Sequence, residues 1–404
     1  MYLTDEEKQM LDGQAGELAR QCMEILVTLG EINGAEKMLK IRSVHSPGVS
    51  YRVTGDAGLN YVVDASKLGT FRVPLTLNTI GIDADRWQQI GFPEEFSRKQ
   101  LALLQAYAKM GAIPTCTCTP YLNGFAPLPG EHVAWGESSA IAYANSVLGA
   151  RTNREGGPTA LAAAVTGCVP AYGYHLAENR RADLCINVER NISSKRDFAV
   201  LGYYAGMTSG RRVPVFKGLP GCRSVENLKA LSAAIATSGA VALFHIEGVT
   251  PDAVIGKADL KPKETVNFGE TEYRQVTDKF NYQGDVDFVV IGCPHCSIGE
   301  LQQLAALLEG KKVKADFWVC TSRMTKMLSD KMGFTEIIER AGARVVCDTC
   351  PVLCPTSSKG YKTILTNSAK LAHYAPGLWS VKTALIQTDQ CISAALTGKW
   401  GGSK

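Results

Sequence analysis

Hydrophobic and polar positions follow two recurrent patterns along the chain. Short runs of β-branched and aromatic residues, such as DFVVIGC at 287–293 and ARVVC at 343–347, are typical of buried parallel strands. Longer segments such as GELQQLAALLEG at 299–310 carry apolar residues at helical spacing. In the C-terminal half the two patterns alternate regularly, which predicts parallel sheets covered by helices. The expected fold class is α/β.

The N-terminal half carries the same patterns less regularly. Residues 4–40 predict one or two helices, with Thr4 as the N-cap and Glu7 completing a capping box. The helical segment FPEEFSRKQLALLQAYAKMG at 92–111 is expected to lead into a strand at AIPTCTCTPYL, residues 112–122.

A change of composition divides the chain. Proline and glycine cluster in RRVPVFKGLPG at 211–221, directly after a run of small residues. We therefore predict two regions, an N-terminal α/β region of residues 1–210 and a C-terminal α/β region of residues 211–404.

Composition and charge exclude several classes of protein. The 404 residues are 45% hydrophobic and 20% charged, with a net charge of +4, so a globular protein with full cores is expected. Neither a nucleic-acid partner nor a membrane is expected, because the chain has no basic field and no apolar run of membrane-spanning length. The acidic start MYLTDEEKQMLDGQAGEL is unlike a signal peptide, which predicts a cytoplasmic location.

Cysteines are the most informative residue type. The odd total of 13 is a poor disulfide framework, and clusters recur in TCTCTPY, GCPHC and CDTCPVLC, at predicted strand ends. Ligands of open parallel sheets lie outside the carboxyl ends of the strands, so the clusters are expected to meet in one crevice. Thiolates select zinc, copper or iron with sulfur, and an iron–sulfur cluster held by three thiols leaves one iron open as a Lewis acid.

The sequence resembles the aconitase X hydro-lyase family, and specifically its large, catalytic subunit. The resemblance rests on GDAG at 55–58, PLTLNT at 74–79, TCTCTPY at 115–121, GEHVAWGESSAIAYANSVLGARTNREGGP at 130–158, GCPH at 292–295, DTC at 348–350 and TNSAKLAHYAPG at 366–377. It implies an aconitase-like catalytic core of three-layer α/β domains with largely parallel sheets. It also implies dehydration of a small hydroxy acid on an iron–sulfur cluster.

The resemblance also implies a set of metal ligands. The family pattern places them at Cys118, Cys293 and Cys350. Analogy with aconitase would instead pair Cys347 with Cys350, and Cys116 is a further neighbouring thiol. A 4Fe–4S cluster is preferred, with 2Fe–2S and 3Fe–4S left open.

Polar residues in the shared motifs are candidates for catalysis and substrate binding. His132 and Glu137 would share one face if EHVAWGES is helical. Alternatively, a buried histidine can have the purely structural role of donating a hydrogen bond to a backbone carbonyl. In TNREGGP, Glu155 is a further catalytic candidate, but the stretch also fits a tight glycine turn. The expected substrate-binding residues are Arg151, Asn153, Arg154, Asn78, Ser368, Lys370 and Tyr374.

A partner subunit is expected as well. In the family the base is a serine on a small swivelling subunit, and nothing in this chain obviously replaces it. Two substrates compete: mevalonate 5-phosphate, dehydrated to trans-anhydromevalonate 5-phosphate in a mevalonate route to isoprenoids, and cis-3-hydroxy-L-proline. The NREGGP and GDAGL motifs resemble those of the members that act on mevalonate 5-phosphate. An alternative of another class is a non-enzymatic metal-binding or redox-sensing protein.

Overall fold

Three parallel sheets organise the residues that the computed structural model describes, namely 1–219, 222, 224–255, 259–355 and 360–401. The end of the predicted boundary stretch, Pro220 and Gly221, lies outside these described residues. The strands are β1 (Met38–Lys40), β2 (Val44–Ser46), β3 (Leu75–Leu77), β4 (Ala134–Trp135), β5 (Cys168–Pro170), β6 (Leu184–Val188), β7 (Pro214–Lys217), β8 (His245–Ile246), β9 (Glu264–Phe268), β10 (Gly284–Asp285), β11 (Phe288–Cys296), β12 (Asp316–Thr321), β13 (Arg344–Cys347), β14 (Thr363–Thr366), β15 (Lys382–Leu385) and β16 (Lys399–Trp400).

Helices cover these sheets. They are α1 (Asp5–Leu11), α2 (Glu17–Ile32), α3 (Tyr51–Leu68), α4 (Trp87–Ile90), α5 (Glu94–Lys109), α6 (Ser138–Ser146), α7 (Gly157–Thr166), α8 (Lys195–Ser209), α9 (Val225–Gly239), α10 (Pro251–Val254), α11 (Glu270–Lys279), α12 (Ile298–Leu308), α13 (Arg323–Lys331), α14 (Phe334–Arg340), α15 (Ala369–Trp379) and α16 (Thr388–Thr397). Within the described ranges, no helix has both the length and the apolar character needed to cross a membrane.

The five-stranded sheet is the centre of the C-terminal half. Its strands run parallel in the order β13-β12-β11-β14-β15. Phe288 and Val290 face a core shared with the N-terminal half, while Val289 and Ile291 face a second core beneath α12, α14 and α16. This alternation follows from the two-residue period of a strand and fills both faces of the sheet. The predicted α/β class with parallel sheets is confirmed.

The other two parallel sheets place their carboxyl edges close to this one. The four-stranded sheet, in the order β8-β7-β6-β9, shares its core with α6, α8, α9 and part of α15. Arg196 in the first turn of α8 donates to the carbonyl of Leu385 at the end of β15, at 3.0 Å. The three-stranded sheet, β3-β2-β4, connects through a bridge between Ile80 and Thr349. The boundary proposed at residue 210 stays a prediction.

The capping box at the start of the chain is confirmed. The Thr4 N–H donates to Glu7 Oε2 at 2.8 Å, and the Glu7 N–H donates to Thr4 Oγ1 at 3.4 Å. The predicted segment of one or two helices then forms α1 and α2 and ends in strand β1.

The strand predicted at 112–122 is wrong. Only Ile113 bridges to Thr76, and the segment ends in a 3₁₀ helix at Pro120–Asn123. Pro114 and Pro120 lack an N–H donor, and Cys116 adopts a left-handed φ of 42°, so a regular ladder cannot form. The segment therefore runs beside β3 as an irregular loop that carries Cys118.

The helix on which a shared face of His132 and Glu137 depended does not form across residues 132–137. Ala134 and Trp135 form β4 and pair with β2, and α6 begins only at Ser138, with Glu137 as its N-cap. Sheet pairing overrides the helical spacing here, so His132 and Glu137 do not share a helical face.

Candidate active site

Three cysteines from separate loops converge at the carboxyl edge of the five-stranded sheet. Cys293 lies in the irregular last part of β11, Cys350 follows β13, and Cys118 comes from the 112–122 loop. Burial raises the pKa of Cys350, and the neighbouring Cys293 and Cys118 raise it further. Each of the three residues keeps 7–8% of its surface exposed, whereas Cys347 and Cys354 keep 0%.

Unusual backbone conformations bring two of these thiols to the site. Gly292 has a φ of 105°, and a Cβ atom there would lie 2.1 Å from the carbonyl oxygen of Cys320. Only glycine fits this close approach, which lets β11 leave its regular register just before Cys293. Before Cys350, Asp348 adopts a φ of 65° and is held by Arg323 and by the Ala84 N–H, at 3.3 Å.

A buried ion pair borders the thiols. Lys370 Nζ contacts the Glu137 carboxylate and lies 3.1 Å from Ser138 Oγ. Burial raises the pKa of Glu137, but Lys370 and hydrogen bonds from Ser139 and Ala140 outweigh it and lower that pKa to about 2. Conversely, burial lowers the pKa of Lys370, but the larger effect of Glu137 and of the thiols Cys293 and Cys118 raises that pKa above its ordinary value. Lys370 therefore carries a positive charge between the carboxylate and the thiols.

Ser368 joins this group at the start of α15. Its hydroxyl accepts the Leu371 N–H at 3.2 Å as a helix cap and lies close enough to Cys293 to affect the pKa of that thiol. Burial raises the pKa of Cys293, whereas Lys370 and Ser368 oppose that rise and favour the thiolate. Tyr374 lies one turn beyond Lys370 on the same helix and is half-buried.

His132 and Arg151 lie in a different cluster. The Nδ1 atoms of His132 and His175 are 3.0 Å apart, and Arg151 donates to the carbonyl of His175 at 3.1 Å. Among the described residues, no hydrogen bond or ion pair joins either side chain to the three thiols.

The side chains of Asn153 and Arg154 in the TNREGGP stretch form hydrogen bonds with backbone groups of this protein. Asn153 donates to the Tyr172 carbonyl at 3.1 Å and accepts the Tyr174 N–H at 2.8 Å. Arg154 is exposed and donates to the Ala240 carbonyl at 2.6 Å. These contacts match the structural alternative of an ordered turn, and the predicted substrate contacts remain predictions.

Two further candidates lie closer to the site. Glu155 is buried, which raises its pKa, and its N–H donates to the carbonyl of Trp135, two residues before Glu137. Asn78 follows β3, and Ile80, two residues on, donates its N–H to the Asp348 carbonyl at 2.8 Å. The loop that carries Asn78 therefore adjoins the loop that carries Cys350.

Sequence reasoning missed a second layer behind the thiols. The buried carboxylate of Glu300 contacts both Lys195 and Lys229, tying α12 to α8 and α9. His295, in the GCPH motif, is fully buried against the thiol loops. Its place directly after Cys-Pro was the available signal. Among the residues that the structure describes, no group of three or more His, Cys, Asp or Glu is spaced to hold a single metal ion.

Replacing Lys370 by methionine should destabilise the fold. The change leaves the Glu137 carboxylate buried without its cation, which costs about 3–5 kcal/mol. Because the folded pKa of Glu137 is about 2 against an ordinary 4.5, its contribution is present above about pH 4.5 and is lost as the pH falls toward 2. Urea unfolding at pH 7 measures the loss, and the Glu137→Gln/Lys370→Met double variant should recover much of it. A Lys370→Met variant as stable as the parent at pH 7 would contradict the ion-pair account.

Comparisons with known proteins show the family of this chain. Family models described as the first, second and third domains of aconitase X match residues 1–178, 182–278 and 286–397. The phosphomevalonate dehydratase large subunit of Methanothermobacter thermautotrophicus is 49% identical over 384 residues, 94% of each chain. The cis-3-hydroxy-L-proline dehydratase of Hypocrea jecorina is 39% identical, with 98% of this chain and 69% of that protein covered.

A solved structure matches as well. The crystal structure of Thermococcus kodakaraensis aconitase X in its holo-form superposes with a TM-score of 0.90 at 41% identity. The alignment covers 98% of this chain and 100% of that one.

The fold and these relatives thus define a dehydratase of the aconitase superfamily type. The chain belongs to the aconitase X family, as predicted. Membership in this family implies an iron–sulfur cluster, and the "large subunit" names of the relatives imply a small-subunit partner. The non-enzymatic alternative finds no support among these relatives, which are named dehydratases.

Proposed function

We propose that this chain is the large subunit of a hydro-lyase that dehydrates mevalonate 5-phosphate to trans-anhydromevalonate 5-phosphate. The structural observation that supports this proposal most directly is the convergence of three thiols beside the Lys370–Glu137 pair. The choice of substrate rests on the relatives. Four archaeal phosphomevalonate dehydratase large subunits are 43–49% identical over nearly their full length, whereas the hydroxyproline dehydratases are 36–39% identical.

Cys118, Cys293 and Cys350 would hold the iron–sulfur cluster. They fit as donors because Cys293 and Cys118 both lie close enough to Cys350 to raise its pKa beyond the effect of burial. Each of the three residues also retains exposed surface. Burial raises the pKa of Cys347, and the charges that affect it most are those of Asp348 and Arg323, which argues against the aconitase-like pairing. With three protein ligands we favour a 4Fe–4S cluster. When bound, such a cluster supplies an open iron as a Lewis acid for the departing hydroxyl.

The chain's own residues would bind and orient the substrate. The Lys370 ammonium and the Ser368 hydroxyl lie beside Cys293 and suit a carboxylate or phosphate oxygen. Glu137 fixes the position and charge of Lys370, and its low pKa makes it a poor proton acceptor at neutral pH. We therefore assign Glu137 to orientation and expect the proton-abstracting base on the small subunit. Asn78, in the loop that adjoins the loop of Cys350, and Tyr374, one turn beyond Lys370 on α15, are further candidates for substrate contact.

A substrate comparison tests the proposal. With the small subunit present and the cluster reconstituted anaerobically, kcat/KM is expected to favour mevalonate 5-phosphate over cis-3-hydroxy-L-proline by about 10⁴-fold, because buried polar groups of a site penalise a ligand that leaves them unpaired. Steady-state kinetics on both compounds measures the ratio. Turnover of cis-3-hydroxy-L-proline alone would overturn the substrate and leave the dehydratase class standing. Activity on neither compound would refute both assignments.

A further inference from the structure

His295 connects all three thiol-bearing loops. Its Nδ1 atom lies 2.9 Å from Thr117 Oγ1, in the loop of Cys118, and its Nε2 atom lies 3.0 Å from the Thr349 carbonyl oxygen, next to Cys350. Its backbone N–H points at Cys118 Sγ at 3.3 Å. Since His295 itself follows Cys293 by two residues, one fully buried residue lies in the loop of Cys293 and contacts the loops of Cys118 and Cys350.

The hydrogen-bond roles of the ring are fixed by its partners. A carbonyl oxygen can only accept, so Nε2 carries the proton and donates to Thr349. In the neutral imidazole Nδ1 then accepts, and the Thr117 hydroxyl donates to it while accepting the Thr119 N–H at 3.2 Å. Both ring nitrogens are therefore committed, and the imidazole can occupy only one orientation.

The backbone carbonyl of His295 is also hydrogen-bonded. Lys229, which is also fully buried, donates from Nζ to the His295 carbonyl at 2.8 Å and is neutralised by Glu300. The residue is thus fixed through its ring, its N–H and its carbonyl. A histidine that only filled core space would not need bonds to two separate loops.

His245 provides that contrast. It is equally buried, and its Nε2 atom bonds the Arg180 carbonyl at 2.8 Å, but its Nδ1 atom has no partner among the described residues. It therefore ties down one loop instead of several, far along the chain from the thiol motifs.

We propose that His295 is a positioning residue that sets the mutual placement of Cys118, Cys293 and Cys350, so that the three thiolates are pre-arranged for their common cofactor. This inference rests on the proposed ligand set. It assigns a role to a residue that is not itself a ligand but orients the ligands. Substitution of such residues typically lowers the affinity of a metal site by about 10–100-fold.

The test uses paired histidine variants. His295→Asn removes the reach to Thr349 and should accelerate chelator-driven iron release from the reconstituted protein by about 10–100-fold. His295→Gln, whose amide can donate toward Thr349, should recover part of that retention. His245→Asn, which removes the same kind of buried bond elsewhere, should release iron at the parent rate.

A second readout uses the metal-free protein. Alkylation by iodoacetamide, followed residue by residue by mass spectrometry, should become faster at Cys118 and Cys350 in His295→Asn and stay slow at Cys347. Should His295→Asn fail to fold, Thr117→Val removes one of the ring's bonds at nearly constant shape and should show the same two effects in smaller measure.

The outcomes separate the two claims. Parent-like iron release and alkylation in both His295→Asn and Thr117→Val would overturn the positioning role, and so would equal losses in His245→Asn. If instead Cys293→Ser retains full iron, the proposed ligand set fails, whatever the histidine variants do.

Discussion

Cys293→Ser is expected to abolish cluster incorporation. A serine hydroxyl at this position remains protonated at neutral pH and is a poor ligand for iron, which selects thiolates in such sites. Lys370 and Ser368 favour the thiolate form of Cys293 and can do nothing comparable for an alcohol. Iron and sulfide should fall to background after anaerobic reconstitution, with loss of visible absorption. Cys118→Ser and Cys350→Ser should behave in the same way.

Neighbouring cysteines provide the matched controls. Cys347→Ser, Cys354→Ser and Cys116→Ser alter thiols that lie within a few residues of the site but are only 0–2% exposed. These variants should keep parent levels of iron and sulfide, although each can lower stability because it buries a hydroxyl. Full cluster content in Cys293→Ser would refute the ligand set, and loss of the cluster in Cys347→Ser would favour the aconitase-like pairing.

Adding the small subunit is expected to raise dehydratase turnover by about 10²–10⁴-fold, the usual contribution of a positioned general base. Within the site described above, Glu137 has a pKa of about 2 and is ion-paired, and Lys370 holds its proton, so neither accepts a proton at neutral pH. The base must be placed across the reacting carbons from the leaving hydroxyl. Steady-state assays of the chain alone and with its partner measure the increase.

Cluster content provides the control for this second prediction. The chain alone should bind iron and sulfide to the same level as the complex, so that its low turnover reports a missing base and not a missing cofactor. Partner binding should bury an interface on the order of 1,600 Å² in total. Turnover by the chain alone at the rate of the complex would contradict the two-subunit model.

The regular elements followed directly from the sequence pattern. The run of β-branched and aromatic residues in DFVVIGC predicted β11, and the structure places Val289 and Val290 on opposite faces of one sheet. The Thr4–Glu7 capping box was equally local and was confirmed. Such features depend on side chains only a few residues apart, which is the range over which a sequence pattern carries information.

Long-range contacts explain the errors. The segment around Cys118 has strand-like composition, but its prolines and the left-handed Cys116 make it an irregular loop beside β3. Similarly, Glu137 became a helix cap because Trp135 was drawn into a sheet. Spacing within one segment cannot report pairing with a distant strand.

The sequence by itself determined the family, the α/β class and the three motifs whose cysteines meet. Only the tertiary structure decided how the three motifs approach one another, because that depends on the backbone turns at Gly292 and Asp348. Tertiary contacts also placed Lys370 against Glu137, 233 residues away in the chain. They made His295 the common contact of three loops as well. The physical reason is that hydrogen bonds and charges act over a few ångströms in space, and the fold alone brings such distant residues within that range.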